Sequence, residues 1–286
     1  MVMLSTNVLS ASNLYDVSEL STPEIKVTGR VPHIKKFQAH TSEIQSHSAD
    51  AVRDREVINR AVEDAMMNKA FYKALYIVMS ANCGLRYSDL VTLRVCDVLL
   101  PNGEITDGFC LEESKTSALR SVYFNKAMKT VLRFIINFKN LSPDSYIFLT
   151  DGNRKSYFKE WIFDDDGNII DVVKSGEKYD ENGHERQLAP VSCKQASRWW
   201  KELNGFGADG KMSSHSARNT FRYFISTSGV SDEGDISLAS QCMAHSSVAI
   251  TAKHYANVTE DMKRRAAETL NLGLDALERS LSSMLW

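Results

Sequence analysis

Four side chains within residues 212–257 have the types and spacing for phosphoryl chemistry: His215, Arg218, His245 and Tyr255. On a helix, positions three apart lie on one face, so His215 and Arg218 project the same way. His215 brings a nitrogen that takes or gives a proton, and Arg218 brings a permanently charged fork of donors. His245 adds a second imidazole, and Tyr255 adds a hydroxyl that can attack phosphorus. An arginine, two histidines and a tyrosine suit an anionic transition state with five oxygens around phosphorus. A tyrosine hydroxyl titrates near about 10, so it needs positive charge around the phosphate and help with its proton.

These residues sit in the strings His-Ser-Ala-Arg (215–218), Ala-His-Ser-Ser (244–247) and Lys-His-Tyr-Ala-Asn (253–257). Earlier in the chain, Arg86 lies in Cys-Gly-Leu-Arg-Tyr-Ser-Asp-Leu (83–90), and Lys115 lies in Glu-Glu-Ser-Lys-Thr-Ser (112–117). His-x-x-Arg alone is a weak signal. All five strings in this order, from Gly84 to Tyr255, resemble the catalytic domain of the tyrosine recombinase (phage integrase) family. Asn219 departs from the pattern, since the family often has a histidine directly after the second arginine.

The resemblance implies a mainly α fold with a small antiparallel β-sheet (α+β). It implies that Arg86 and Arg218 clamp the two non-bridging phosphate oxygens and that His215 assists proton transfer. Lys115 would protonate the departing 5′ oxygen, and His245 would hydrogen-bond the phosphate. Tyr255 would be the nucleophile that forms a 3′-phosphotyrosyl link. The implied partner is double-stranded DNA with a specific recombination site, bound by a homo-tetramer on paired sites, with room for accessory proteins. No cofactor and no metal are expected, because the arginines supply the positive charge. Cys242 and His245 have helical ligand spacing, but no second pair does. No Gly-rich phosphate loop of the G-x-x-x-x-G-K-[ST] type is present, which argues against an ATP-driven enzyme.

Composition sets the outer bounds. The 286 residues are 43% hydrophobic, enough for a real core. No run of eighteen apolar residues exists, so no transmembrane helix is expected, and the first twenty residues lack the pattern of a secretory signal. Five scattered cysteines (Cys83, Cys96, Cys110, Cys193, Cys242) fit a reducing compartment. The expected location is cytoplasmic and nucleoid-associated. The net charge of −2 argues mildly against DNA binding. Residues 163–185, however, hold eight acidic and two basic residues, a local −6 that leaves +4 for the rest. Phosphate contacts are local, so position outweighs the total.

The elements that must position these residues follow from periodicity. Residues 1–50 are Ser/Thr-rich without a helical period and read as an N-terminal arm or a reduced DNA-binding segment, with 25–27 as an extended piece, either poorly ordered or a strand lying on a partner. The family usually has a separate helical core-binding domain ahead of the catalytic one, for which these residues leave no room. Residues 51–286 read as the catalytic domain. A helix spans 54–80 and Gly84 ends it, so Arg86 falls at a break before the next helix. Asp89, three positions on, either orients Arg86 or forms a surface pair with it. Strands at 105–112 and 119–124 flank a hairpin tip carrying Lys115. A helix over 126–139 and a short buried strand at 146–149 follow. An acidic insertion covers about 160–188, with a hairpin around Gly167. Helices are expected at 191–202 (Trp199 and Trp200 inward), 215–226 (Phe221 and Phe224 inward) and 237–243. A single amphipathic helix is expected at 260–285; its apolar stripe must pack on its own domain or in trans, and the resemblance favours docking into a neighbouring protomer. Tyr223 and Tyr87 are the secondary nucleophile candidates. Two other readings share the motifs: a non-catalytic DNA-binding accessory protein on the same fold, and a type IB topoisomerase-like DNA relaxase.

Overall fold

The computed structural model describes residues 26–28, 49–113, 119–150, 161–163, 169–172, 188–230, 235–243 and 259–284. It is mostly helical with small sheets, as the resemblance implies. Its centre is α2 (Phe71–Cys83), all thirteen residues of which are buried. Packed against α2 are α1 (Arg55–Met67), α5 (Lys126–Phe138), α6 (Cys193–Lys201), α7 (Ser214–Ser226) and α9 (Glu260–Leu270). Each amphipathic helix turns its apolar stripe inward, as in α1 with Val57, Ile58, Ala61, Val62, Ala65 and Met66. Asp54 caps α1, Asn125 caps α5 and Ser192 caps α6, each accepting from a first-turn backbone N–H. Trp200 is fully buried and Trp199 nearly so, with Phe221 and Phe224 also in the core.

One helix expected over 54–80 is two. After α1, Lys69 adopts a left-handed conformation (φ 57°) and the Ala70 N–H donates back to the Ala65 carbonyl at 2.8 Å. Because α2 is buried on every side, its apolar residues show no phase, and the change of direction leaves no mark on the periodicity.

The sheet consists of β2 (Gly108–Glu112) antiparallel to β3 (Leu119–Tyr123), with β1 (Lys26–Thr28) parallel to β2. The extended piece near residue 26 therefore lies on its own chain's sheet rather than on a partner. The register pairs Glu112 with Leu119, so the tip of the hairpin begins just beyond that pair. A second hairpin, β4 (Trp161–Phe163) with β5 (Ile169–Val172), brackets Gly167 as expected. Residues 146–149 are buried but form no strand: Tyr146 makes one isolated bridge to Arg94, and the Phe148 carbonyl accepts from Val191 at 2.7 Å.

The C-terminal segment also departs from expectation. It is two helices, α9 and α10 (Leu274–Met284), separated by Asn271 (φ 38°) and Gly273 (φ 82°). Left-handed residues end a helix, because the chain leaves the helical path there. Gly273 sits against Val78 and Val62, whose methyls would lie 3.1 and 3.2 Å from an added Cβ. Both helices pack within the same chain, α9 on α2, α7, α8 (Asp235–Cys242) and β3, and α10 on α1 and α5. The Asn82 amide donates to the Leu272 carbonyl at 2.9 Å and accepts from the Leu272 N–H at 2.9 Å. Asn125 donates to Asn82 at 2.9 Å and to the Ala267 carbonyl at 3.0 Å. This buried amide pair satisfies backbone groups that the helix break would otherwise orphan. The apolar stripe expected to dock in trans is spent in cis.

Candidate active site

The end of α2 builds one wall. Gly84 adopts φ 58°, and a Cβ there would sit 2.4 Å from Phe221 Cδ1 on α7. Only glycine tolerates both the conformation and the approach. The consequence is a close crossing of the Gly84–Arg86 turn over α7, one turn beyond Arg218. Arg86 itself is the extended N-cap residue of the short α3 (Tyr87–Leu90). Asp89 in that helix is fully buried, so the surface-pair reading of it fails. Its backbone N–H donates to the Arg86 carbonyl at 3.0 Å.

Helix α7 builds the opposite wall. Ser213 caps it in a reciprocal arrangement with Ser216, which fixes its first turn. His215 is exposed on that turn, and Arg218, one turn on, is buried. The two side chains therefore differ in exposure, the imidazole on the outside of the first turn and the guanidinium inside.

Arg86 and Arg218 are 132 positions apart and meet at one carboxylate, Glu113, directly after β2. Arg86 Nη1 pairs with Glu113 Oε2, while Arg218 Nη1 and Arg120 Nη1 each lie 3.4 Å from Oε1. The Glu113 side chain is fully buried. Arg120, on β3, donates to the carbonyls of Cys83 at 2.6 Å and Gly84 at 3.1 Å. Arg218 donates to the Gly84 carbonyl at 3.0 Å and to the Met243 carbonyl at 2.6 Å. Two guanidinium groups thus close the carbonyl end of α2, where a helix favours positive charge.

The electrostatics show an excess of positive charge. Burial raises the Glu113 carboxyl, but the pair with Arg86 and the charges of Arg120 and Arg218 outweigh it and hold it below the usual range. Burial lowers Arg218 to about 10, assisted by repulsion from Arg120 and Arg86, and Glu113 only partly offsets this. Burial lowers Arg120 in the same way. Together the three arginines and Glu113 carry +2 in a largely dry site. Arg86 Nε and Nη2 find no acceptor among the described residues, and the side chain is 23% exposed. An incoming anion has donors waiting.

Lys115, His245 and Tyr255 lie outside the described residues. Their anchors do not. The hairpin tip with Lys115 springs from Glu113 at one end and from the Glu112–Leu119 pair. The stretch with His245 and Tyr255 leaves from Met243, whose carbonyl Arg218 holds, and rejoins at α9, where Glu260 accepts from the Tyr123 hydroxyl at 2.6 Å. Of the secondary nucleophile candidates, Tyr87 donates its hydroxyl to the Val191 carbonyl at 2.5 Å, and burial raises its pKa further. Tyr223 is half-buried, with its ring edge-on to Phe224 and near the Arg53 guanidinium.

Sequence reasoning missed Glu113 and Arg120. One signal was available. Arg120 and Val122 share a face in an alternating strand, so a charge at 120 points where an apolar residue belongs. A charge so placed calls for a buried partner of opposite sign.

The mostly helical fold brings two arginines 132 positions apart onto one buried carboxylate. Residues 49–262 match the phage integrase family model, and the chain belongs to that family, the tyrosine recombinases. Among solved structures it is similar to XerA recombinase, at 18% identity over 79% of this chain and 65% of that one, with a TM-score of 0.46. It is similar to the XerH site-specific recombinase bound to difH substrate in a pre-cleavage complex, at 13% identity over 82% and 57% of the two chains, with a TM-score of 0.43. The Tn1549 transposon integrase in complex with circular intermediate DNA shows 19% identity over 79% and 66%, with a TM-score of 0.39. The chain thus spans about three fifths to two thirds of the length of these structures. No curated protein matches it. No helix among the described residues is long and apolar enough to cross a membrane.

Proposed function

We propose that this chain is a site-specific DNA recombinase of the integrase type, cutting and rejoining DNA through a 3′-phosphotyrosyl intermediate. The observation that carries the reading is the convergence of Arg86 and Arg218, 132 positions apart, on one buried carboxylate, Glu113. In the proposed step the Tyr255 oxygen bonds to the scissile phosphorus and the P–O5′ bond breaks. The phenol proton leaves with help from His215, and Lys115 gives a proton to the departing 5′ oxygen. Arg86 and Arg218 offset the charge that builds on the non-bridging oxygens, and His245 hydrogen-bonds the phosphate. Rejoining runs the same step in reverse, with the 5′ hydroxyl as nucleophile, so the bond energy is kept in the ester.

The partner is double-stranded DNA with a specific site, and the working assembly is a homo-tetramer on paired sites, open to accessory proteins. The protein works in the cytoplasm beside the nucleoid. The catalytic domain is 51–286, with an acidic insertion at about 160–188, and it is preceded by an arm or reduced DNA-binding segment at 1–50. The test uses a pool of nicked duplexes, randomised around the nick, in which the short strand released on cleavage diffuses away and traps any covalent adduct. Sequencing the trapped DNA should return one motif with inverted-repeat character. Adducts of random sequence would favour a site-independent relaxase, and no adduct with retained DNA binding would favour an accessory protein.

A further inference from the structure

The carboxylate of Glu113 belongs to none of the roles above, yet among the described residues it is the one side chain that touches both arginines of the clamp. We infer that Glu113 is a positioning residue for strand cleavage: it braces Arg86 and Arg218 on the two oxygens of one carboxylate before DNA arrives, with Arg120 as its anchor. This rests on the recombinase reading.

Three observations carry it. First, both carboxylate oxygens are used, Oε2 by Arg86 on one side and Oε1 by Arg218 and Arg120 on the other. Like-charged guanidinium groups repel, and a shared anion between them sets their separation. Second, the brace is held from behind. Arg120 is buried, lies 3.4 Å from Oε1, and is fixed in turn by the Cys83 and Gly84 carbonyls. The anchor therefore ties the carboxylate to the same turn that carries Arg86. Third, the brace leaves donors over. Arg86 spends one nitrogen on Glu113 and keeps Nε and Nη2 without an acceptor among the described residues. A carboxylate that blocked the site would take those donors, whereas one that orients it leaves them. Donors fixed in advance act at full strength in the transition state, since they need not reorganise as charge develops.

Glutamine at this position keeps the shape but has one acceptor oxygen, because its other terminal atom is itself a donor. It can accept from one side of the clamp only. Glu113→Gln also raises the local charge from +2 to +3, so loss of fold is a competing outcome. The double variant Glu113→Gln/Arg120→Gln returns the charge to +2 and separates the two effects. The assay measures two quantities on nicked duplex of the captured sequence: the single-turnover cleavage rate at saturating DNA and the DNA concentration for half-saturation. The brace predicts that cleavage falls at least about tenfold in the double variant while half-saturation stays within about threefold, because the loss lies in the transition state. Recovery of wild-type cleavage by the double variant overturns it, as that assigns Glu113 to charge neutralisation alone. Faster cleavage by Glu113→Gln also overturns it, marking the carboxylate as a competitor of phosphate. Failure of both variants to fold assigns Glu113 to the core and equally overturns it. Absence of an adduct in the unsubstituted chain, run alongside, refutes the recombinase reading instead, and the brace with it.

Discussion

Gly84→Ala is the most informative single perturbation of the scaffold. The residue has φ 58°, and an alanine there would hold a left-handed conformation at a cost of about 1–2 kcal/mol. Its Cβ would fall 2.4, 2.6 and 3.0 Å from Cδ1, Cγ and Cβ of Phe221, a ring rooted in the core of α7 that cannot swing clear. Such overpacking costs about 1–3 kcal/mol. Together the change should destabilise the fold by about 2–5 kcal/mol, which for a domain of this size lowers Tm by roughly 5–15 °C. The same displacement separates the Arg86 turn from α7, because the Gly84 carbonyl accepts from both Arg218 and Arg120. A shift of about 1 Å in the clamp should slow cleavage about a hundredfold. Thermal unfolding and single-turnover cleavage below the lowered Tm measure the two effects. Adding Phe221→Leu should recover part of the Tm by relieving the clash, though not the share that comes from φ. Unchanged Tm and unchanged cleavage in Gly84→Ala would refute the claim that this close crossing sets the geometry of the arginines.

Other outcomes follow from the same geometry. Arg86→Ala and Arg218→Ala should each slow cleavage by at least about a hundredfold, and cleavage within a few-fold of wild type in either would remove that arginine from the clamp. Lys115→Ala should lose far less on a substrate whose 5′ leaving atom is sulfur, which departs without a proton; an equal loss on both substrates would clear Lys115 as the acid. Deleting residues 264–286 should give insoluble or unfolded protein. It strips Ala266, Ala267, Leu270, Leu272, Ala276 and Leu277 from the core and orphans Asn82, and a soluble, folded truncation would contradict the cis packing.

Much of this structure was readable because local chemistry determined it. The apolar period over 126–139 marks α5, and the strands on either side of 114–118 mark the hairpin. Gly84 marks the break that exposes Arg86. The unread parts depend on contacts distant in the chain. An apolar stripe at 260–285 requires a partner but does not say which, and the choice between cis and trans rests on Asn82, some 190 positions away. The α1–α2 break at Lys69 is silent because a helix buried all round has no phase to lose. Glu113 and Arg120 lie in a hairpin whose own string names no partner for either. Their role comes from the end of α2 folding over them, and a buried charge network is defined by its partners rather than by its own string.

The central claim is that Tyr255 becomes covalently joined to DNA. The direct measurement is protease digestion of the trapped adduct, followed by mass spectrometry of the peptide that retains a nucleotide, for the wild-type chain and for Tyr255→Phe. A phosphotyrosyl nucleotide is expected on Tyr255 in the wild type, with no adduct in Tyr255→Phe and DNA binding by that variant within a few-fold of wild type. An adduct that persists in Tyr255→Phe, or one mapped to Tyr223 or Tyr87, would contradict it.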